Sequence, residues 1–207
     1  MLEDLIDKWR RGARGPLPQL TPLQLLNALV LIEREGPVGR RVLAQTLQIN
    51  DGIARGLLER LAEQKLISVT ETGVHLSPEG KKNLHKLLKQ LLVKKILVLD
   101  ESDLVKSGAA VGVHLARAYR SGITGIAQRD EAIKAGAQGS VTIAVQEGKL
   151  MIPPDNKNLA DLAPKENSRL NSEFNPSDND LIIIGFGKDS ARALAGALAA
   201  VLSLQRT

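Results

Sequence analysis

The first long pattern in the chain is helical and unusually apolar. Leu23, Leu25, Leu26, Ala28, Leu29, Leu31 and Ile32 predict a helix to about Glu35, with Thr21 as N-cap and Pro22 in its first turn. Gly36-Pro37 ends it, and a second helix from about Arg40 to Leu47 turns Val42, Leu43 and Leu47 inward. Gln48-Ile49-Asn50-Asp51 is a tight turn in which Asn50 or Asp51 caps a third helix to about Gln64. The pattern then becomes strand-like. Leu66–Thr70 and Val74–Ser77 flank Glu71-Thr72-Gly73, which predicts a β-hairpin, and Ser77-Pro78 opens a fourth helix to about Leu92. Upstream, Leu2, Leu5, Ile6 and Trp9 fall at helical spacing. Arg10, Arg11 and Arg14 follow among glycines, as a phosphate-contacting arm or a linker.

The second half mixes both periods. Lys95–Asp100, Ala110–Ala116, Val141–Val145 and Lys149–Ile152 predict strands, with Glu147-Gly148 as a hairpin turn. Ile123–Ala135 predicts a helix with Ile126, Ile133 and Ala137 along one side. Residues 155–180 form a long polar loop with short helices at 158–162 and 165–173. Leu181–Ile184 is a buried central strand, and Asp189 or Ser190 caps a last helix to about Leu204. The sum is about five strands and two principal helices.

Charge sharpens the division. Of the net +5, residues 1–95 hold 16 Lys/Arg against 10 Asp/Glu, and residues 96–207 hold 12 against 13. A basic first half suits a polyanion partner, or is a solvated surface. Cysteine is absent, which excludes thiolate metal sites and disulfides. Trp9, Tyr119, Phe174 and Phe186 are too scattered to form a stacking platform for single-stranded nucleic acid. The longest nearly apolar run, Ala193–Leu204, is shorter than the ~20 residues of a membrane span. No signal-type N-terminus is read, so a cytoplasmic protein with no membrane association is expected.

Gly36–Leu47 together with Leu57–Ile67 resembles bacterial and archaeal winged-helix transcription regulators. Val74-His-Leu-Ser-Pro-Glu-Gly-Lys-Lys82 resembles the second wing strand and following helix of the multiple-antibiotic-resistance regulator type. The whole chain resembles archaeal winged-helix proteins with an uncharacterised C-terminal α+β domain. The resemblance implies an α+β protein: an N-terminal helix and basic arm at 1–20, a winged helix-turn-helix at 21–92, and an α+β effector or dimerisation domain with a mostly antiparallel sheet at 93–207.

In such a fold the exposed start of the third helix enters the major groove. Ala54, Leu57, Leu58 and Leu61 face the core, leaving Gly52, Arg55, Gly56 and Glu59 outward. Arg55 suits guanine and Glu59 suits cytosine N4. Arg40, Arg41, Arg60 and Lys65 supply phosphate contacts, while Glu59, Glu63 and Glu71 oppose them. Winged helices also serve as protein-contact modules, and both readings stay open.

In the second half, Gly185-Phe186-Gly187-Lys188-Asp189-Ser190 joins a strand to a helix N-terminus, where amides can hold an anion. It is no P-loop, since Ile182 stands where the first glycine belongs and Asp189 follows Lys188. An effector, small and polar or anionic, would lie against Gly185, Gly187, Lys188 and Ser190, with Arg129 as a second cation. The bland alternatives are a tight turn, an Arg129 paired with neighbouring charges, and His114 as a core residue.

No catalytic constellation, metal-ligand spacing or cofactor motif is read, so a non-enzymatic protein without metal or cofactor is expected. The expected partner is double-stranded DNA. The last helix, with Ala193, Gly196, Ala197 and Ala200 on the side away from the sheet, is expected to pair with a second copy in a homodimer or to be covered by the 155–180 loop. The rivals are a protein-binding adaptor and an enzyme with an unrecognised C-terminal site.

Overall fold

The computed structural model describes residues 20–99, 102–104 and 108–205. The N-terminal helix and the Arg10–Arg14 arm read from the sequence lie outside the described residues. Two units divide at Leu87/Leu88.

The first unit is built on α1 (Pro22–Glu35). Thr21 Oγ1 accepts from the Gln24 amide at 3.2 Å while Gln24 Oε1 accepts from the Thr21 amide at 2.9 Å, a reciprocal capping box. Every residue from Leu25 to Ile32 is buried, so α1 is the centre of this unit rather than one of its faces. Against it pack α2 (Arg40–Leu47) and α3 (Asp51–Glu63), the latter capped by Asn50, whose Oδ1 accepts from the Ile53 amide at 2.8 Å. The inward set on α2 is Leu43, Ala44 and Leu47. Val42, expected inward, is 54% exposed. An eight-residue helix buries one narrow stripe, and Val42 lies about 100° around the helix from Leu43.

The hairpin follows as β1 (Ile67–Thr70) and β2 (Gly73–Leu76), paired antiparallel from Ile67↔Leu76 to Thr70↔Gly73. Val38 adds a backbone bridge to Val74, which ties the wing to the segment between α1 and α2. Ser77 then opens α4 (Pro78–Gln90), accepting from the Gly80 amide at 3.0 Å and donating to the Lys65 carbonyl at 2.5 Å. Helix, helix, turn, helix, hairpin, helix is the winged helix-turn-helix order.

The second unit is one six-stranded antiparallel sheet with helices on both faces. Its elements are β3 (Val93–Leu99), β4 (Ala109–Leu115), α5 (Ile126–Lys134), β5 (Gly139–Gln146), β6 (Lys149–Ile152), β7 (Lys157–Asn158), α6 (Leu159–Leu162), α7 (Pro164–Phe174), β8 (Leu181–Gly187) and α8 (Ser190–Ser203). The strand order is β3-β4-β8-β5-β6-β7, so the last strand in sequence sits between β4 and β5. The fold class is α+β, as expected. The second unit is richer than the sequence reading of about five strands and two principal helices.

Strand alternation assigns the faces. Gly112 pairs with Ile184, and a Cβ on Gly112 would meet the Phe174 ring at 3.0 Å, so this face carries α7. Leu159, Ala163, Leu170 and Phe174 pack there with Ile143, Val145, Ile182 and Ile184. The short helices read within 155–180 are therefore the cover of one sheet face. Gly185 points to the other face. A Cβ there would lie 2.3 Å from the Ala193 carbonyl oxygen and 2.6 Å from the Ala197 nitrogen, so only glycine lets α8 settle onto the sheet.

The outer side of α8 is closed by α5. A Cβ on Gly196 would lie 2.4 Å from Ala137 Cβ and 3.4 Å from Ala132 Cβ. This corrects two expectations. The cover of α8 is neither the 155–180 segment nor a second copy: Ala193, Gly196, Ala197 and Ala200 are all buried within the chain. And α5 faces inward through Gln128 and Ala132, while Ile126 and Ile133 are each 50% exposed. At so close a helix crossing only small residues fit, so the isoleucines are turned outward. Ala137 is buried, as expected.

Ala197, at 0% exposure, provides the test. Ala197→Glu forces an unpaired carboxylate between α8 and β8, and is expected to unfold the second unit rather than yield a folded monomer, at a cost of several kcal/mol. Thermal denaturation followed by near-ultraviolet and far-ultraviolet circular dichroism distinguishes the two outcomes.

Candidate nucleic-acid interface

The outward face of α3 is low and open at its start. Gly52 is exposed, and a Cβ there would meet nothing nearer than Asn50 Oδ1 at 3.4 Å. Gly56 follows one turn later, half-buried. Arg55 and Glu59 project beside them, joined by an Arg55 Nε–Glu59 Oε1 ion pair of 2.7 Å with both side chains exposed. The pair is solvent-screened, so it orients Arg55 at little energetic cost to break. Arg40 pairs with Asp51 at 2.9 Å, linking the starts of α2 and α3. Arg41 and Lys65 are exposed and make no ion pair among the described residues.

Arg60 differs. It is 7% exposed, packed on the inward side of α3 with Ala54, Leu57, Leu58 and Leu61. A side chain so enclosed does not reach a phosphate, and its expected contact role is withdrawn. The wheel position of Arg60, three residues after Leu57 and so only about 60° around the helix from it, already places it beside the buried stripe.

Two features escaped the sequence reading. Lys82, Lys86 and Lys89 are exposed along one side of α4 and pair with no described residue. Their i, i+4, i+7 spacing on one helix face was the available signal. Val69, 64% exposed near the hairpin end, gives the wing an apolar as well as an acidic character, with Glu71 at the turn. Thr70 and Thr72 hydroxyls lie 3.0 Å apart beside it.

The strand-to-helix junction in the second unit is built for packing. Gly187, like Gly185, is packed under α8, with a Cβ there placed 2.5 Å from the Ala193 nitrogen. Asp189 caps α8, accepting from the Arg192 amide at 2.8 Å and pairing with the Arg192 guanidinium. The chain's own carboxylate thus occupies the helix N-terminus that an anion would use. Lys188 and Ser190 are exposed there. Arg129 pairs with Asp130 at 3.0 Å on the outer side of α5.

His114 and Asp180 form a buried polar centre. His114 Nε2 lies 2.7 Å from Asp180 Oδ2, and the histidine ring stacks obliquely on Phe174 at 5.7 Å between centroids. Asp180 also accepts from the amides of Arg117 at 2.8 Å and Ser177 at 3.1 Å. The β3–β4 register slips between Val93 and Lys95, and Lys94, at that bulge, brings Nζ to 3.4 Å from Asp180. Burial works to raise the Asp180 pKa, but the two amides and His114 outweigh it and hold the carboxyl down at about 2. Burial lowers the pKa of His114 and prevails over Asp180, which raises it. Neutral His114 therefore donates to ionised Asp180, and the pair locks β4 to the start of β8.

The fold and its surface define a winged-helix domain followed by an α+β domain with an antiparallel sheet. Residues 25–92 match the family described as the CggR N-terminal DNA binding domain. Residues 105–204 match a domain of unknown function, DUF4443. A solved structure, a hypothetical protein from Pyrococcus horikoshii OT3, is similar at a TM-score of 0.72 and 24% identity, over 91% of this chain and 94% of that one. No curated protein matches the chain. The chain is thus similar to the CggR N-terminal DNA binding domain over its first part and to DUF4443 over its second. Among the described residues no helix is long and apolar enough to cross a membrane.

The His114–Asp180 centre sets the acid response. A carboxyl lowered from 3.8 to about 2 stabilises the fold fully above its unfolded pKa, by roughly 2 kcal/mol, and loses that contribution as pH falls through both values. His114, lowered from 6.5, acts in the same direction, because the unfolded chain takes up its proton first. Melting temperature is expected to fall progressively below pH 6.5, and Asp180→Asn to flatten the part of that fall below pH 4.

Proposed function

We propose that this protein is a DNA-binding transcription regulator in which α3 reads the major groove. The observation that carries this reading is the open start of α3: exposed Gly52 allows close approach, with exposed Arg55 projecting one turn further on. The similarity of residues 25–92 to a DNA-binding domain family supports it. Arg40, Arg41 and Lys65 supply the phosphate contacts, Arg40 after release from Asp51. Arg55 donates to guanine and Glu59 accepts from cytosine N4, the two side chains being held side by side in the free protein. Function on chromosomal DNA places the protein in the cytoplasm. The C-terminal domain serves assembly or sensing and performs no catalysis.

Assembly on paired half-sites calls for a twofold homodimer, and the buried α8 leaves α5 as its best-suited surface. Ile126 and Ile133 are exposed on the same side of α5, with Arg129 and Asp130 midway between them. Two antiparallel copies would set Ile126 against the partner's Ile133 and Arg129 against the partner's Asp130, a self-complementary arrangement. Sedimentation velocity at tens of micromolar is expected to show a dimer, and Ile126→Glu with Ile133→Glu a folded monomer.

The DNA reading is tested by selecting bound duplexes from a random pool. Arg55→Ala is expected to weaken specific binding by ~1–3 kcal/mol and to relax preference at one base position. Arg41→Ala is expected to weaken all duplexes alike and reduce the salt slope by about 1. Fluorescence anisotropy across a salt series measures both. Absence of duplex binding by the unsubstituted protein at low salt would transfer the winged helix to the protein-adaptor reading.

A further inference from the structure

A cavity of about 300 Å³ opens in the second unit where the turn after β4, the start of α5 and the end of α8 converge. That volume is at the lower end of small-molecule sites. Its apolar wall is Leu91, Leu115 and Ala118, all buried, with half-buried Leu204 and Ile123. None of the Gly185–Ser190 residues lines it.

Among the described residues that line it, the charged one is Arg120. Arg120 stands at the mouth, exposed and without an ion pair among the described residues. It is carried on a turn closed by the Ile123 amide donating to the Arg120 carbonyl at 3.3 Å. The first turn of α5 forms the adjoining wall. Its N-cap is Gly125, which has no side chain to offer, and the first intrahelical bond runs from the Arg129 amide to the Gly125 carbonyl. Thr124 Oγ1 reaches only the Ile126 amide, at 3.4 Å. The amides of Ala127 and Gln128 therefore keep their partial positive charge without a side-chain cap.

The Gln128 side chain adds an acceptor to the cavity wall. It lines the cavity at 4% exposure, its Nε2 donates to Ser203 at 3.2 Å, and its Oε1 receives no hydrogen bond from a described residue. Oε1 is therefore available to accept from a donor on an occupant of the cavity. In contrast with α8, whose N-terminus holds Asp189, no acidic residue among the described residues lines this cavity.

We infer that this cavity binds a small organic monocarboxylate with an apolar body and a hydrogen-bond donor near the carboxylate. Arg120 and the Ala127 and Gln128 amides hold the carboxylate, the donor meets Gln128 Oε1, and the apolar body lies against Leu91, Leu115 and Leu204. One unpaired guanidinium fits one negative charge, and the apolar wall disfavours a bare inorganic anion. The inference does not depend on DNA binding and is tested without DNA.

The probes are isocaproate, its hydroxylated analogue leucate, neutral isocaproamide and inorganic phosphate, each titrated into the full chain by calorimetry and by thermal shift. Isocaproate and leucate are expected to bind and raise the melting temperature, leucate more strongly, with isocaproamide and phosphate at least tenfold weaker. Arg120→Ala, at an exposed position, is expected to weaken both acids at least tenfold while leaving the ligand-free melting temperature unchanged. Ala127→Trp, also exposed, fills the cavity and is expected to abolish binding. Phosphate binding as tightly as the acids would overturn the inference, as would acid binding that survives both substitutions, or no binding of either acid at millimolar concentration.

Discussion

The second unit depends on β8 being covered on both faces. Leu181–Ile184 are buried and hydrogen-bonded to β4 on one side and β5 on the other, so the strand has no free edge. The even-numbered isoleucines meet α7, and Gly185 admits the backbone of α8. Such close contact leaves α8 no exposed apolar side and requires small residues on α5. The exposure of Ile126 and Ile133 follows from that constraint. Asp180, immediately before the strand, fixes where it begins by holding His114 and the Arg117 and Ser177 amides at once.

The two units use charge differently. In the first, most cations lie on the surface, in exposed pairs such as Arg40–Asp51 and Arg55–Glu59 or alone like Arg41 and the lysine row on α4. Exposed pairs exchange partners cheaply, which suits contact with a polyanion. In the second, Asp180 is enclosed and satisfied by several donors, and it holds the fold. The turn at Arg120 and the start of α5 stand between these cases: donors gathered at a cavity, with their acceptor still to be supplied.

Much of the winged helix was legible because its signals are local. Thr21 and Asn50 cap their helices through side chains three residues from the amides they bind, and the change from helical to alternating period marks the wing. Gly52, Arg55 and Glu59 are outward because the wheel places Ala54, Leu57 and Leu61 inward. The same reasoning failed for Val42, where a short helix offers too few residues to fix the buried stripe, and for Arg60, where a long side chain borders it.

The sequence by itself determined the order of elements, the buried character of Leu181–Ile184 and the basic weight of the first half. Only the tertiary structure decided which apolar residues are inside. Ile126 and Ile133 line one apolar side of α5, yet the approach of α8 at Gly196 admits alanine and leaves them half-exposed. The alanine-rich last helix read as a surface seeking a partner, yet α5 already covers it. His114 and Asp180, 66 residues apart, and the cavity at Arg120 depend on strand order and helix crossings. Hydropathy records what a residue tolerates, while its neighbours across the sheet are set by a topology that no local pattern contains.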